Sequence, residues 1–242
     1  MTRQGVAAIV MASLTLRATP PAAAGQGAGA AEATLDRLER ALAAEPDSLR
    51  AGSEYRQAVI RSAAYDRSLA FFERLVAAHP QAANAHLNYG LAFVDKVPTA
   101  GSVTQVILAS SALAELTKSI DIQPTWVALY TRGRSYLFWP RALARTPLAV
   151  ADLEQALRIQ KTEARRRYHA RTYAALGDAY WKLEDPGQAL ATWKAGLAEF
   201  PDDPALGARL AREGDALSAL LDDAMDYTKR VDTDLAELWT TR

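Results

Sequence analysis

The 242-residue sequence predicts an all-α solenoid of stacked helical hairpins, and three observations carry that reading. Alanine far outnumbers valine and isoleucine, a balance that favours helix over sheet. Residues 170–203 read as two amphipathic helices joined by a tight break. The same pattern returns imperfectly upstream: Gly90, Gly133 and Gly177 stand 43 and 44 residues apart, and Pro46 and Pro80 stand 34 apart.

The unit at 170–203 is the clearest. Tyr173, Leu176, Gly177 and Tyr180 fall at i, i+3, i+4 and i+7, one face of a helix. The small Gly177 lets a neighbouring helix approach closely. Asp185, Pro186 and Gly187 form the break. Ala189, Leu190, Trp193 and Leu197 then line the second helix, and Pro201 ends it.

The remaining units follow in order. A helix over 34–45, with Leu35, Leu38 and Leu42 on one face, looks like the second half of a hairpin. Between Pro46 and Pro80, Tyr55, Val59, Ser68, Phe72 and Leu75 hold the pattern positions, but Arg56 stands where a small residue is expected. In the next unit His86, Tyr89, Gly90 and Phe93 fit. The loop at 97–101 then leads to a long helix over about 102–122, with Ala112, Leu116 and Ser119 inward. The third opens at Trp126 with Leu129, Gly133 and Tyr136, carries an insertion near Trp139 and Pro140, and closes on Ala149, Leu153 and Ala156. After Pro204 a single helix is expected over 205–222. Asp232 or Asp234 is placed to cap a short last helix bearing Leu235, Leu238 and Trp239.

The aromatic-x-x-Leu-Gly-x-x-Tyr run at 173–180, followed by Ala189, Trp193 and Pro201, resembles a tetratricopeptide repeat. The resemblance is strong at 170–203, moderate at 83–136 and weaker over the rest of 31–222. It implies a right-handed solenoid with lengthened middle repeats and capping end helices. It also implies a non-catalytic scaffold whose first helices line a concave groove for a protein or peptide segment. Carried over position by position, that groove holds Asn84, Asn88 and Leu91 from one unit. It holds Tyr130, Arg134 and Phe138 from the next, and Arg171, Asp178, Trp181 and Lys182 from the last. The Lys and Asn set with which the family's best-known groove binds a C-terminal carboxylate is not matched: Leu87 and Leu91 stand at two of its positions.

Charge and chemistry narrow the function classes. With 28 basic and 28 acidic residues there is no global attraction to nucleic acid or to anionic membranes. There is no cysteine, so thiolate metal sites and disulfides are excluded. The three histidines, His79, His86 and His169, show no metal-ligand spacing, and no nucleophile or phosphate-binding motif occurs, so no cofactor and no enzyme are expected. Six basic residues against Glu163 cluster over 158–171, and eight acidic residues against Lys229 and Arg230 over 213–237. These suit a charged partner or self-association.

The start of the chain reads as a secretory signal peptide over 1–24. Arg3 precedes the apolar run 5–16, and Ala22, Ala23 and Ala24 offer a cleavage site. The expected organisation is that signal, a disordered linker at 25–31, the solenoid at 32–225 and a tail with a short helix at 226–242. The mature protein is then periplasmic or secreted, with no stable membrane span, and cytoplasmic if the leader is not a signal. The second functional class weighed is a periplasmic ligand-binding accessory of a transport system, holding a small molecule against Tyr130, Phe138 and Trp181.

Overall fold

The structure, a computed structural model, describes residues 21–226, 229 and 231–240. Eleven α-helices and no strand occur among them. The first twenty residues of the expected signal lie outside the described residues. Helix α1 (Pro21–Ala44) includes 25–31, so this stretch is helical where the sequence reading expected a disordered linker. Ten alanines stand against three glycines over the whole of α1, a balance that favours helix. Leu35, Leu38 and Leu42 of α1 are buried.

Four hairpins follow: α2 (Leu49–Ser62) with α3 (Tyr65–Ala78), α4 (Ala83–Lys96) with α5 (Ser102–Ile122), α6 (Trp126–Leu137) with α7 (Thr146–Gln160), and α8 (Ala170–Lys182) with α9 (Pro186–Glu199). Local chemistry sets their starts. The Ser48, Thr125 and Asp185 side chains accept from the N–H groups of Ala51, Ala128 and Gln188 at 3.3, 3.3 and 3.0 Å. Pro186 and Pro204 occupy first-turn positions, where a missing N–H costs nothing.

The last three hairpins pack tightly because a glycine faces the partner helix. A Cβ on Gly90 would meet Leu116 at 2.9 Å, and one on Gly133 would meet Leu153 at 2.9 Å. In the first hairpin Arg56 takes the equivalent place, and α2 and α3 touch at few positions. Instead α2 packs on α1 and α4. The side chains of Leu116, Leu129, Leu153 and Trp193 are almost fully buried and lie in three successive apolar clusters along the stack. Leu190, expected inward, is 42% exposed; Ala189 and Trp193 carry the buried face of α9.

Both insertions lie where the lengthened period placed them. Helix α5 runs 21 residues, and its first turns leave Val103, Val106 and Ile107 exposed. The second insertion folds as a 3-10 turn at Arg141–Leu143, with Arg145 stacked 4.1 Å over the Trp139 ring. The helix expected over 205–222 is two: α10 (Pro204–Leu210) and α11 (Gly214–Ala224). Gly214 has φ +53°, a left-handed conformation that glycine adopts without strain and that interrupts the helix. Leu206, Leu217 and Leu221 remain buried, so the break preserves both apolar faces.

His169, in the 3-10 turn before α8, is 1% exposed. Its Nδ1 accepts from the Arg166 N–H at 3.3 Å, and its ring packs 5.3 Å from that of Trp126. Burial lowers its pKa, and Arg166 adds to this against the opposing charge of Glu199. The neutral ring is therefore the folded form. The stability this contributes is fully present above the unfolded pKa of about 6.5. It is lost as pH falls through the lower folded value. Urea unfolding at pH 7 and pH 5 should show an acid-side loss that His169→Gln reduces. An unchanged slope in that variant would place the titration elsewhere.

Candidate functional site: the concave groove

The inner wall of the stack is built by the first helix of each hairpin. It presents Leu91 and Val94 from α4, Trp126, Tyr130 and Arg134 from α6, Arg171 and Ala174 from α8, and Arg209 from α10. Trp126 is fixed by two hydrogen bonds from its Nε1, to Gln160 Oε1 at 3.0 Å and Thr172 Oγ1 at 2.9 Å. The Tyr130 ring stacks on Trp126 at 5.2 Å and Tyr168 leans on it at 4.9 Å, so the three form an aromatic shelf. Arg209 and Asp178 pair through two bonds of 2.6 Å, tying α10 to α8.

The groove is not empty. The end of the chain, residues 231–239, returns across it. Thr233 is held at one end by a buried network. Arg56, with no exposed surface, donates from Nη2 to the Thr233 carbonyl at 2.9 Å, from Nη1 to Asp95 Oδ2 at 2.9 Å and from Nε to Asn88 Oδ1 at 3.1 Å. The Thr233 hydroxyl donates to the other Asp95 oxygen. Leu235 and Leu238 pack into the core cluster that contains Leu91, Trp126 and Tyr130. Between them Glu237 meets Arg171 at 2.5 Å. Burial pushes the Glu237 carboxyl above the usual carboxylate range. Arg171 opposes this, while Asp232 and Asp234 reinforce it. The Arg50 guanidinium lies 6.0 Å from the centre of the Trp239 ring. Asp234 Oδ1 accepts from the Ala236 N–H at 2.9 Å, but the residue at the cap of the single 3-10 turn Ala236–Leu238 is Leu235, so neither expected aspartate takes the cap position. About 310 Å³ remains between wall and tail.

No protein-family model matches the chain. Over 100 residues it is 36% identical to the bacteriophage adsorption protein A of Escherichia coli K12, covering 41% of this chain and 9% of that protein. Over 94 residues it is 30% identical to tetratricopeptide repeat protein 8 of Caenorhabditis elegans, covering 39% of this chain and 18% of that one. The chain thus spans less than a fifth of either relative. Among solved structures, TTC0263, a tetratricopeptide protein of Thermus thermophilus, superposes with a TM-score of 0.54 at 23% identity, over 78% of this chain and 93% of that one. The chain carries the tetratricopeptide repeat fold. The MamA protein superposes with a TM-score of 0.50 at 14% identity, over 79% of this chain and 91% of that one.

Within this tetratricopeptide stack the expected groove residues divide. Leu91, Tyr130, Arg134, Phe138 and Arg171 all face the concave side. Asn84 is half-buried at the start of α4, where its Nδ2 donates to the Asp47 carbonyl at 3.0 Å. Asn88 and Asp178 are 1% and 2% exposed, consumed by Arg56 and Arg209. Lys182 donates to the carbonyls of Leu137 and Trp139, closing the end of α6 instead of reaching a ligand. Burial lowers its pKa, and Arg141 adds to this.

Trp181 belongs to the last core cluster, its ring 6.3 Å from that of Trp193, and does not line the groove. Trp181→Ala should therefore lower stability by roughly 1–3 kcal/mol through lost packing of a half-buried ring. A thermal melt checks this: an unchanged Tm would mean that the ring contributes no packing. Arg56, Asp95, Arg209 and the tail itself are the site residues that pattern reasoning missed.

Proposed function

We propose that this chain is a non-catalytic scaffold that captures a segment of a partner protein in its concave groove. The observation that carries this reading is residues 231–239 seated there. A short irregular stretch of polypeptide that ends in a 3-10 turn fits the groove, with its backbone held by Arg56, two leucines on the aromatic shelf and a glutamate on Arg171. Aromatic and arginine side chains at the centre of a concave wall are the groups that dominate binding energies. The tetratricopeptide proteins it resembles support the same assignment. The apolar run at 5–16 after Arg3 supports placing that scaffold in an exported compartment, which N-terminal peptide mapping of the native protein tests.

The test is site-specific photo-crosslinking in the native cells. A photoreactive residue at Thr131, on the groove wall, should give discrete protein adducts, and Arg171→Glu should abolish them. The same residue at Leu190, exposed on a second helix, should give none. Adducts of equal yield at both positions would overturn the reading. A small-molecule occupant would instead give no protein adduct, together with a ligand that co-purifies and is lost on Tyr130→Ala.

A further inference from the structure

The tail makes the groove's preferences legible. Three features of 231–239 are each read by a different wall element. Thr233 engages the Arg56–Asp95 pair of α2 and α4 through both its carbonyl and its hydroxyl, and it is 6% exposed. Leu235 and Leu238, two and five residues on, lie in the cluster with Trp126 and Tyr130 of α6. Glu237 meets Arg171 of α8. The charges are complementary in part: the tail carries Asp232, Asp234 and Glu237, and the wall presents Arg134 and Arg171 beside Asp203, while Arg209 is taken by Asp178.

We propose that residues 231–239 are a built-in competitor for the groove, and that the partner is an acidic, leucine-bearing segment that takes their register. In that register a threonine or serine lies at Arg56–Asp95, leucines follow two and five residues later, and a glutamate precedes the second leucine. This rests on the reading of the groove as a segment-binding site and adds the chemistry of the segment and its regulation. A tethered tail acts at an effective concentration of about a millimolar. A tail whose intrinsic affinity is on the order of 0.1 mM therefore weakens a competitor about tenfold. The partner must supply either higher affinity or a second contact outside the groove, so the tail sets a threshold.

The test uses the full chain and a fluorescent decapeptide of residues 231–240. Leu235→Asp combined with Leu238→Asp should release the tail and strengthen decapeptide binding at least tenfold over wild type. A scrambled decapeptide should bind neither. Circular dichroism melts check that the variant still folds. Glu237→Arg provides a second route, because it removes the Arg171 contact and leaves both leucines. A charge exchange then fixes the register: Arg171→Glu in the released chain should reject the decapeptide and accept one carrying arginine at 237. Equal binding by wild type and both released chains, or binding of the scrambled peptide, overturns the proposal. A wild-type dimer that the decapeptide converts to monomer assigns the seat to a second copy's tail and overturns the intramolecular part.

Panning a random peptide library on the released chain separates the two levels. Selected peptides without the acidic leucine pattern, lost on Tyr130→Ala, overturn the partner chemistry and leave the scaffold reading standing. No groove-dependent peptide at all overturns both.

Discussion

Arg56→Met should destabilise the fold by about 3–5 kcal/mol, the range expected when one member of a buried ion pair is removed. Arg56 is fully buried and Asp95 is 4% exposed, so water cannot replace the lost guanidinium. Methionine fills most of the volume, which isolates the electrostatic part from a cavity effect. Among the described residues the Asp95 carboxylate would keep only the Thr233 hydroxyl, and Asn88 Oδ1 and the Thr233 carbonyl would lose a charged donor. The doubly apolar variant Arg56→Met with Asp95→Leu should recover much of the loss, because no uncompensated charge remains. Urea unfolding followed by circular dichroism reads both. A single-variant loss below about 1 kcal/mol would place the pair in a solvated setting. The variant should also loosen the tail, because Arg56 holds its backbone. Decapeptide binding to the folded variant should not rise, because the proposed register places the peptide's threonine on the same Arg56.

That network also marks where the sequence stops being readable. The hairpins at 83–122, 126–160 and 170–199 are legible because each rests on local rules: a small residue facing the partner helix, apolar residues at helical spacing, and, at the starts of α6, α7 and α9, a capping side chain or proline. Helix α5 begins and ends where the loop glycine and the following proline put it. Arg56 stood out only as a departure from the small-residue position. Its meaning depends on Thr233, 177 residues away, and no periodic signal links them. The clusters over 158–171 and 213–237 were visible as opposite charges, and Arg171–Glu237 joins them. Their pairing within one chain follows from how the stack curves, which local patterning does not encode.

The groove residues divide for the same reason. Carrying a repeat's inner positions across three units identifies the wall well for α6, where Tyr130, Arg134 and Phe138 all face inward. It misassigns Asn88 and Asp178 because the neighbouring first helix brings an arginine to each. Whether an inner polar residue is free or consumed is decided by an adjacent repeat, the preceding one for Asn88 and the following one for Asp178, so a single unit's pattern does not carry the answer. The split of the expected 205–222 helix is similar. The apolar spacing from Leu206 to Leu221 continues across the break, so periodicity alone does not reveal the left-handed Gly214 that divides the helix.

Gly177→Leu should be as damaging as the loss of Arg56, by a different mechanism. An ideal Cβ at 177 would lie 2.1 Å from Trp193 Nε1, 2.4 Å from Cδ1 and 2.7 Å from Cε2. Trp193 cannot retreat: it is 1% exposed, clustered with Ala189, Leu206, Leu217 and Leu221, and its Nε1 donates to the Ala174 carbonyl at 3.3 Å. Overpacking typically costs about 1–3 kcal/mol for added methylenes. A whole leucine against an immobile indole should exceed about 3 kcal/mol and separate α8 from α9. Even Gly177→Ala should destabilise, because the steric term outweighs the gain of about 1 kcal/mol in helix propensity. Gly207 provides the internal comparison. It lies in α10, and a Cβ there meets nothing within 4 Å, so Gly207→Ala should raise stability by roughly 0.5–1 kcal/mol. Paired thermal and urea melts of the two alanine variants should therefore shift in opposite directions. A shared direction would mean that helix propensity, and not the approach of the two helices, sets the requirement at 177. The repeat assignment would then lose its principal physical support, because the tight α8–α9 contact is what makes the glycine part of the pattern.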